Sequence, residues 1–109
     1  MHYELQPIRL QAGWRIEWNN FSEYDMDLHG KEDAIELNED LLQLCNDKAK
    51  LVIDLGWYPS FDPDGQYLLL LVRNHCWDSP LEKTASKSKT EIISQLEKWV
   101  NDGFFGKYV

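Results

Sequence analysis

The sequence predicts a single α+β domain over residues 1–109: a mainly antiparallel sheet of about four strands with two helices, the C-terminal helix packed on the sheet. Three observations carry this expectation. Two apolar runs, Leu51–Leu55 and Gln66–Val72, flank a turn-rich loop and read as a central hairpin. Trp14, Ile16 and Trp18 alternate with Arg15 and Glu17, the period of a half-buried strand. Near the end, Ile92, Ile93, Leu96, Trp99 and Val100 form one apolar stripe at helical spacing. A chain of 109 residues can bury a core of this kind without covalent staples.

His2–Leu10 reads as a first strand, and Pro7, which cannot donate to a ladder, assigns it to an edge or a bulge. Gln11-Ala12-Gly13 is a turn before the tryptophan-bearing strand, which Asn19-Asn20 ends. Phe21–Lys31 is irregular. Tyr24, Met26 and Leu28 alternate with Asp25 and Asp27, which suggests a short edge strand, although aspartate is a poor strand former. Ala34, Leu37, Leu41, Leu44 and Cys45 share a helical face, so a helix is expected from Asn38 as N-cap to Asn46.

In the hairpin loop, Pro63-Asp64-Gly65 supplies a preset φ, a side chain able to bond its own backbone, and a residue tolerant of positive φ. Asn74–Pro80 is a connection, and the basic run Ser86–Lys89 is expected to be a solvated loop. Ser88-Lys89-Thr90-Glu91 is a capping box that opens the last helix, with Gly103 placed as its C′ glycine. Phe104, Phe105 and Tyr108 follow as an aromatic tail.

The formal net charge is −8, so no basic footprint for direct nucleic-acid binding is present. Between Glu17 and Asp47 stand Glu17, Glu23, Asp25, Asp27, Glu32, Asp33, Glu36, Glu39, Asp40 and Asp47 against the single base Lys31. Such a segment is either a solvated surface or a negative patch that steers a basic partner. No stretch has the length of a membrane span, and no signal-peptide pattern opens the chain. Two distant cysteines, Cys45 and Cys76, read as reduced thiols of a cytoplasmic protein.

No catalytic motif emerges, and no cofactor or metal is expected. His2, His29 and His75 lack ligand spacing, and Gly56 and Gly65 fit turns rather than a phosphate loop. A cysteine nucleophile would need a histidine delivered by the fold. Asp62 and Asp64 are accounted for by turn chemistry. Asp54, inside an apolar strand, requires a partner, for which Arg15 and Arg73 are the candidates.

The run LVIDLGWYPSFDPDGQYLLLLV, followed by NHCWDSPLEKTASKSKTEIISQLEKWV, resembles small bacterial immunity proteins of polymorphic toxins, the contact-dependent growth-inhibition immunity proteins among them. The likeness extends in layout over roughly 14–100: a tryptophan-bearing strand ending in Asn, an acidic helix, the GWYP…DG hairpin, the WDSPLE connection and a terminal amphipathic helix. It implies a non-enzymatic cytoplasmic protein that binds a cognate toxin domain, basic and of nuclease type, and blocks its active site or substrate groove. The acidity fits such a partner, since carboxylates can occupy a groove built for phosphates. The candidate contact residues are Glu23, Asp25, Asp27, Glu32, Asp33, Glu36, Glu39 and Asp40, with Tyr24 as the aromatic anchor. An adaptor domain unrelated to toxins, or a small enzyme whose site is assembled only in the fold, are the alternatives.

Overall fold

A computed structural model describes residues 3–101. Its centre is a five-stranded antiparallel meander in the order β1-β2-β3-β4-β5. The strands are β1 (Arg15–Asn19), β2 (Leu42–Asn46), β3 (Leu51–Tyr58), β4 (Gln66–Arg73) and β5 (Glu82–Ser86). Helix α1 (Met26–His29) and a 3-10 turn (Ala34–Glu36) lie between β1 and β2, and α2 (Lys89–Trp99) follows β5. The expected α+β class, the hairpin and the C-terminal helix on the sheet are all present.

The three inner strands turn one side to the core. Leu42 and Leu44 of β2, Leu51, Ile53, Leu55 and Trp57 of β3, and Tyr67, Leu69 and Leu71 of β4 are buried in one cluster with Ile92, Leu96 and Trp99 of α2. Trp57 and Tyr67 are register partners whose rings meet edge to face, 4.8 Å between centroids. Phe21, Tyr24, Leu37 and Leu41 complete the same cluster, with Tyr3, Ile8 and Leu10 packed against it. The helix and the irregular segments therefore share the coverage of a single sheet face. On the opposite face, among the described residues, Cys45, Val52 and Val72 form a small buried cluster.

Several elements differ from the expectation. No helix runs from Asn38 to Asn46: Leu42–Asn46 is strand β2, paired on both sides, and 38–41 lead into it without regular structure. The apolar positions 41, 42, 44 and 45 satisfy either period, and two flanking strands decide for the extended form. In place of the expected edge strand over 24–28, helix α1 (Met26–His29) forms, and the Asp25 carboxylate caps it by accepting from Asp27 N at 3.0 Å. The expected first strand is reduced to a single bridge, Leu5 with Ser22. The start of the basic run, Ser86, belongs to β5, an edge strand. Gly103, Phe104, Phe105 and Tyr108, like His2, lie outside the described residues.

Both inner glycines serve close approach, not a turn dihedral. Gly56 sits inside β3, where an added Cβ would collide with the Glu39 carbonyl and the Tyr58 ring. At Gly65 a Cβ would lie 2.6 Å from Tyr58 O and 2.7 Å from Trp57 Nε1. The positive φ of this loop is at Phe61, 65°.

Candidate partner-binding surface

The acid-rich segment leaves β1, crosses the helix-covered side of the sheet and returns as β2. Its local turns are built by its own side chains. Asp25 caps α1, and His29 Nδ1 accepts from Asp25 N at 3.0 Å. Tyr3 donates its hydroxyl to Asp33 at 2.6 Å, tying the N-terminal segment to the start of the 3-10 turn. That carboxylate pushes the Tyr3 phenol up to about 12. Asn38 Oδ1 accepts from Asp40 N at 2.8 Å, so Asn38 organises a turn and does not cap a helix.

The predicted contact residues fall into two groups. Asp25, Asp33 and Glu36 surround Tyr24, whose phenol is raised first by burial and then by those three charges. Glu23 and Asp27 flank the same helix, and exposed Glu32 lies between α1 and the 3-10 turn. Glu39 and Asp40 stand apart at the end of β3, where with Asp54 they act on Tyr58, raised first by its own burial. Among the described residues none of these acids forms an ion pair; the pairs present join Arg15 to Glu17 and to Asp47, the latter at 3.1 Å.

Tyr24 is not a surface anchor. It is 1 % exposed, donates its hydroxyl to Gly30 O and stacks on His29. The sequence alternation that set it beside acids also places it against the core. The large apolar side chains that do stand out here are Leu28 on α1 and Ile35 on the 3-10 turn, 79 % and 72 % exposed. Nothing in the spacing of the segment marks these two: Leu28 shares the alternation of Tyr24 and Met26, and Ile35 lies outside the apolar face expected for the segment.

A further residue escaped the sequence reading. Lys89 is 4 % exposed and donates to the carbonyls of Ser22 and Tyr24, with Nζ 5.0 Å above the Phe21 ring. Burial lowers its pKa to about 8 against the opposing pull of Asp25 and Glu23. Its signal was positional: Lys89 precedes Ile92, Leu96 and Trp99 on the apolar stripe of α2. Beside it runs an open cleft bordered by Tyr3, Glu23, Asp25, His29, Thr90 and Ile93.

Asp54 accepts from the Gln43 amide at 3.0 Å, not from an arginine. Arg15 is held by Asp47, and Arg73 lies on the opposite sheet face, being opposite Leu51 in register. Asp62 acts as a turn residue: its carboxylate accepts from Asp64 N and its carbonyl from Trp57 Nε1, each at 2.8 Å. Cys45 is buried and Cys76 exposed, both free, with the Cys45 thiol raised by burial. His75 and Cys76 lie in a turn after β4, not on a strand. Among the described residues no group of three or more His, Cys, Asp or Glu side chains is placed to hold a metal ion, and no helix is long and apolar enough to cross a membrane. No protein family, curated protein or solved structure matches the chain.

Proposed function

We propose that this chain is an immunity protein: without catalysing a reaction, it binds and neutralises a cognate toxin domain in the cytoplasm, a basic domain of nuclease type. The observation that carries the reading is the surface around α1, where Leu28 and Ile35 project among carboxylates that form no ion pair among the described residues. Apolar side chains as exposed as these, rimmed by charge of one sign, are what a protein-binding patch presents. The carboxylates attract and orient a basic partner, and the two apolar residues supply the desolvated anchors. The likeness of the GWYP…DG hairpin and the WDSPLE connection to immunity proteins supports the same reading.

The test is co-expression with the protein encoded next to this chain, followed by affinity measurement at low and moderate salt. Binding is expected to weaken as salt screens the acids. Leu28→Ser with Ile35→Ser should weaken it at every salt concentration. Joint reversal of Glu23, Asp25 and Asp27 to lysine should reduce the on-rate, whereas reversal of Glu39 and Asp40 reports on the second group separately. If affinity survives all three sets unchanged, this surface is not the binding site.

A further inference from the structure

The second face of the sheet is covered in part: Cys45, Val52 and Val72 on it are buried, whereas the row through Asp54 is half-buried to exposed. Register places Trp18, Gln43, Asp54, Leu70 and Lys83 in one row across all five strands on that face. Leu68 lies beside the row on β4, and Tyr58 projects from the end of β3, 37 % exposed. Leu68 and Leu70 alternate with the fully buried Leu69 and Leu71, so they point away from α2 and remain half-exposed. Charge is distributed unevenly over this face. Asp54, with Glu39 and Asp40 near its end of the sheet, lies on the β3 side, while exposed Lys83 lies on the β5 side. Apolar β4 runs between them.

We infer that this face is the interface of a two-fold dimer of the chain. A two-fold axis that runs parallel to β4, midway between two facing sheets, exchanges β3 with β5. Asp54 of one copy then stands opposite Lys83 of the second, twice over, with the two Leu70 side chains on the axis between the pairs. This is the self-complementarity that an isologous interface requires. The Asp54 carboxylate, which accepts from the Gln43 amide, gains a cation on assembly. Strands β3 and β4 are eight residues long. Only β3, β4 and β5 meet their counterparts about this axis, so at ~3.3 Å per residue and ~4.8 Å between strands the overlap measures at most roughly 26 by 14 Å. Two such overlaps bury at most about 700 Å², below the range of a stable specific interface, so the dimer is expected to be weak, with a dissociation constant toward the millimolar range. This surface is on the other side of the sheet from α1, and its test uses the chain alone. It therefore stands or falls separately from toxin binding.

Sedimentation equilibrium of the purified chain up to about millimolar concentration should show a monomer–dimer equilibrium. Asp54→Lys and Lys83→Glu should each weaken the dimer by about tenfold or more, since each opposes like charges. The double variant, Asp54→Lys with Lys83→Glu, restores opposite charges and should recover most of the loss. A chain that stays monomeric at the highest concentrations would overturn the inference. So would a dimer indifferent to both single changes, or folded single variants whose combination fails to recover. Should Asp54→Lys not fold, Lys83→Glu on the exposed edge strand decides alone: an unweakened dimer refutes the interface.

Discussion

Gln43 of β2 and Asp54 of β3 are register partners, and the Gln43 amide donates to Asp54 Oδ2 at 3.0 Å on the second face of the sheet. The bond is a neutral donor's answer to a partly desolvated charge. Burial holds the Asp54 carboxyl above the usual carboxylate range, with the Gln43 bond opposing and Asp40 adding to the rise. A carboxylate kept in such a place is a local cost to stability, which makes sense where a cation arrives on binding.

Asp54→Asn should therefore stabilise the monomer at neutral pH. Folded Asp54 keeps its proton to higher pH than the unfolded chain does. Its favourable contribution is present at acid pH and is lost as pH rises through the folded value. The amide variant does not titrate and can still accept from Gln43. Urea unfolding in dilute protein should give equal stabilities at acid pH and a gain of less than about 1 kcal/mol at neutral pH, discounted because the carboxylate is partly solvated. A loss of stability at neutral pH would show that the Gln43 bond outweighs desolvation.

Gly56→Ala and Gly65→Ala should each destabilise by about 1–3 kcal/mol, because the added Cβ meets backbone that cannot swing aside. The obstructing atoms are the Glu39 carbonyl at Gly56 and the Tyr58 carbonyl at Gly65. Denaturant midpoints of the two variants check this. An unchanged midpoint for Gly56→Ala would mean that the 38–40 segment does not press on β3 as described.

The hairpin and α2 were legible in the sequence because each is specified locally: two apolar runs around a turn, and one stripe behind a cap. Strand β2 was not, since Leu41, Leu42, Leu44 and Cys45 fit a helix as well as a buried strand, and only pairing with β1 and β3 separates the two. β5 carries no apolar alternation at all; Glu82–Ser86 is a strand because β4 offers it a free edge. β1 was recognised, but the irregularity between Ile16 and Trp18 was not. It breaks the alternation and turns Trp18 toward the second face. At the candidate surface the acids were legible as charge, whereas the exposure of Leu28 and Ile35 depends on how α1 and the 3-10 turn settle on the core.

The capping box at α2 gives a sharper comparison. Ser88 Oγ accepts from Glu91 N at 3.2 Å, as the motif requires. The reciprocal half is absent: Ser88 N donates to Ser86 Oγ at 3.0 Å, and that same hydroxyl donates to the Glu91 carboxylate. Ser88→Ala should cost about 1 kcal/mol. Glu91→Gln should change stability by no more than about 0.5 kcal/mol, because its bond is to an exposed side chain and not to a helix-end donor. Equal losses for the two variants, measured by thermal unfolding, would favour the full box.

Lys89 makes the pH dependence of stability unusual on the alkaline side. Its pKa falls from 10.5 to about 8 on folding, chiefly through burial. Below the folded value both states carry the proton and the group adds no pH dependence. Between about 8 and 10.5 the unfolded chain holds a proton that the folded chain has released, so stability rises with pH across that window. The buried tyrosines work in the other direction at higher pH, since Tyr24 and Tyr67 are both raised by burial. Lys89→Met cancels their contribution: the stability of the wild type minus that of the variant should climb between pH 8 and 10.5 with at most the slope of one proton. Asp25 and Glu23 are the charges that resist the fall in pKa, so Asp25→Asn with Glu23→Gln should start the climb at lower pH. A flat difference in the first comparison would mean that the ammonium keeps its proton between the Ser22 and Tyr24 carbonyls throughout the window, with those two bonds outweighing burial.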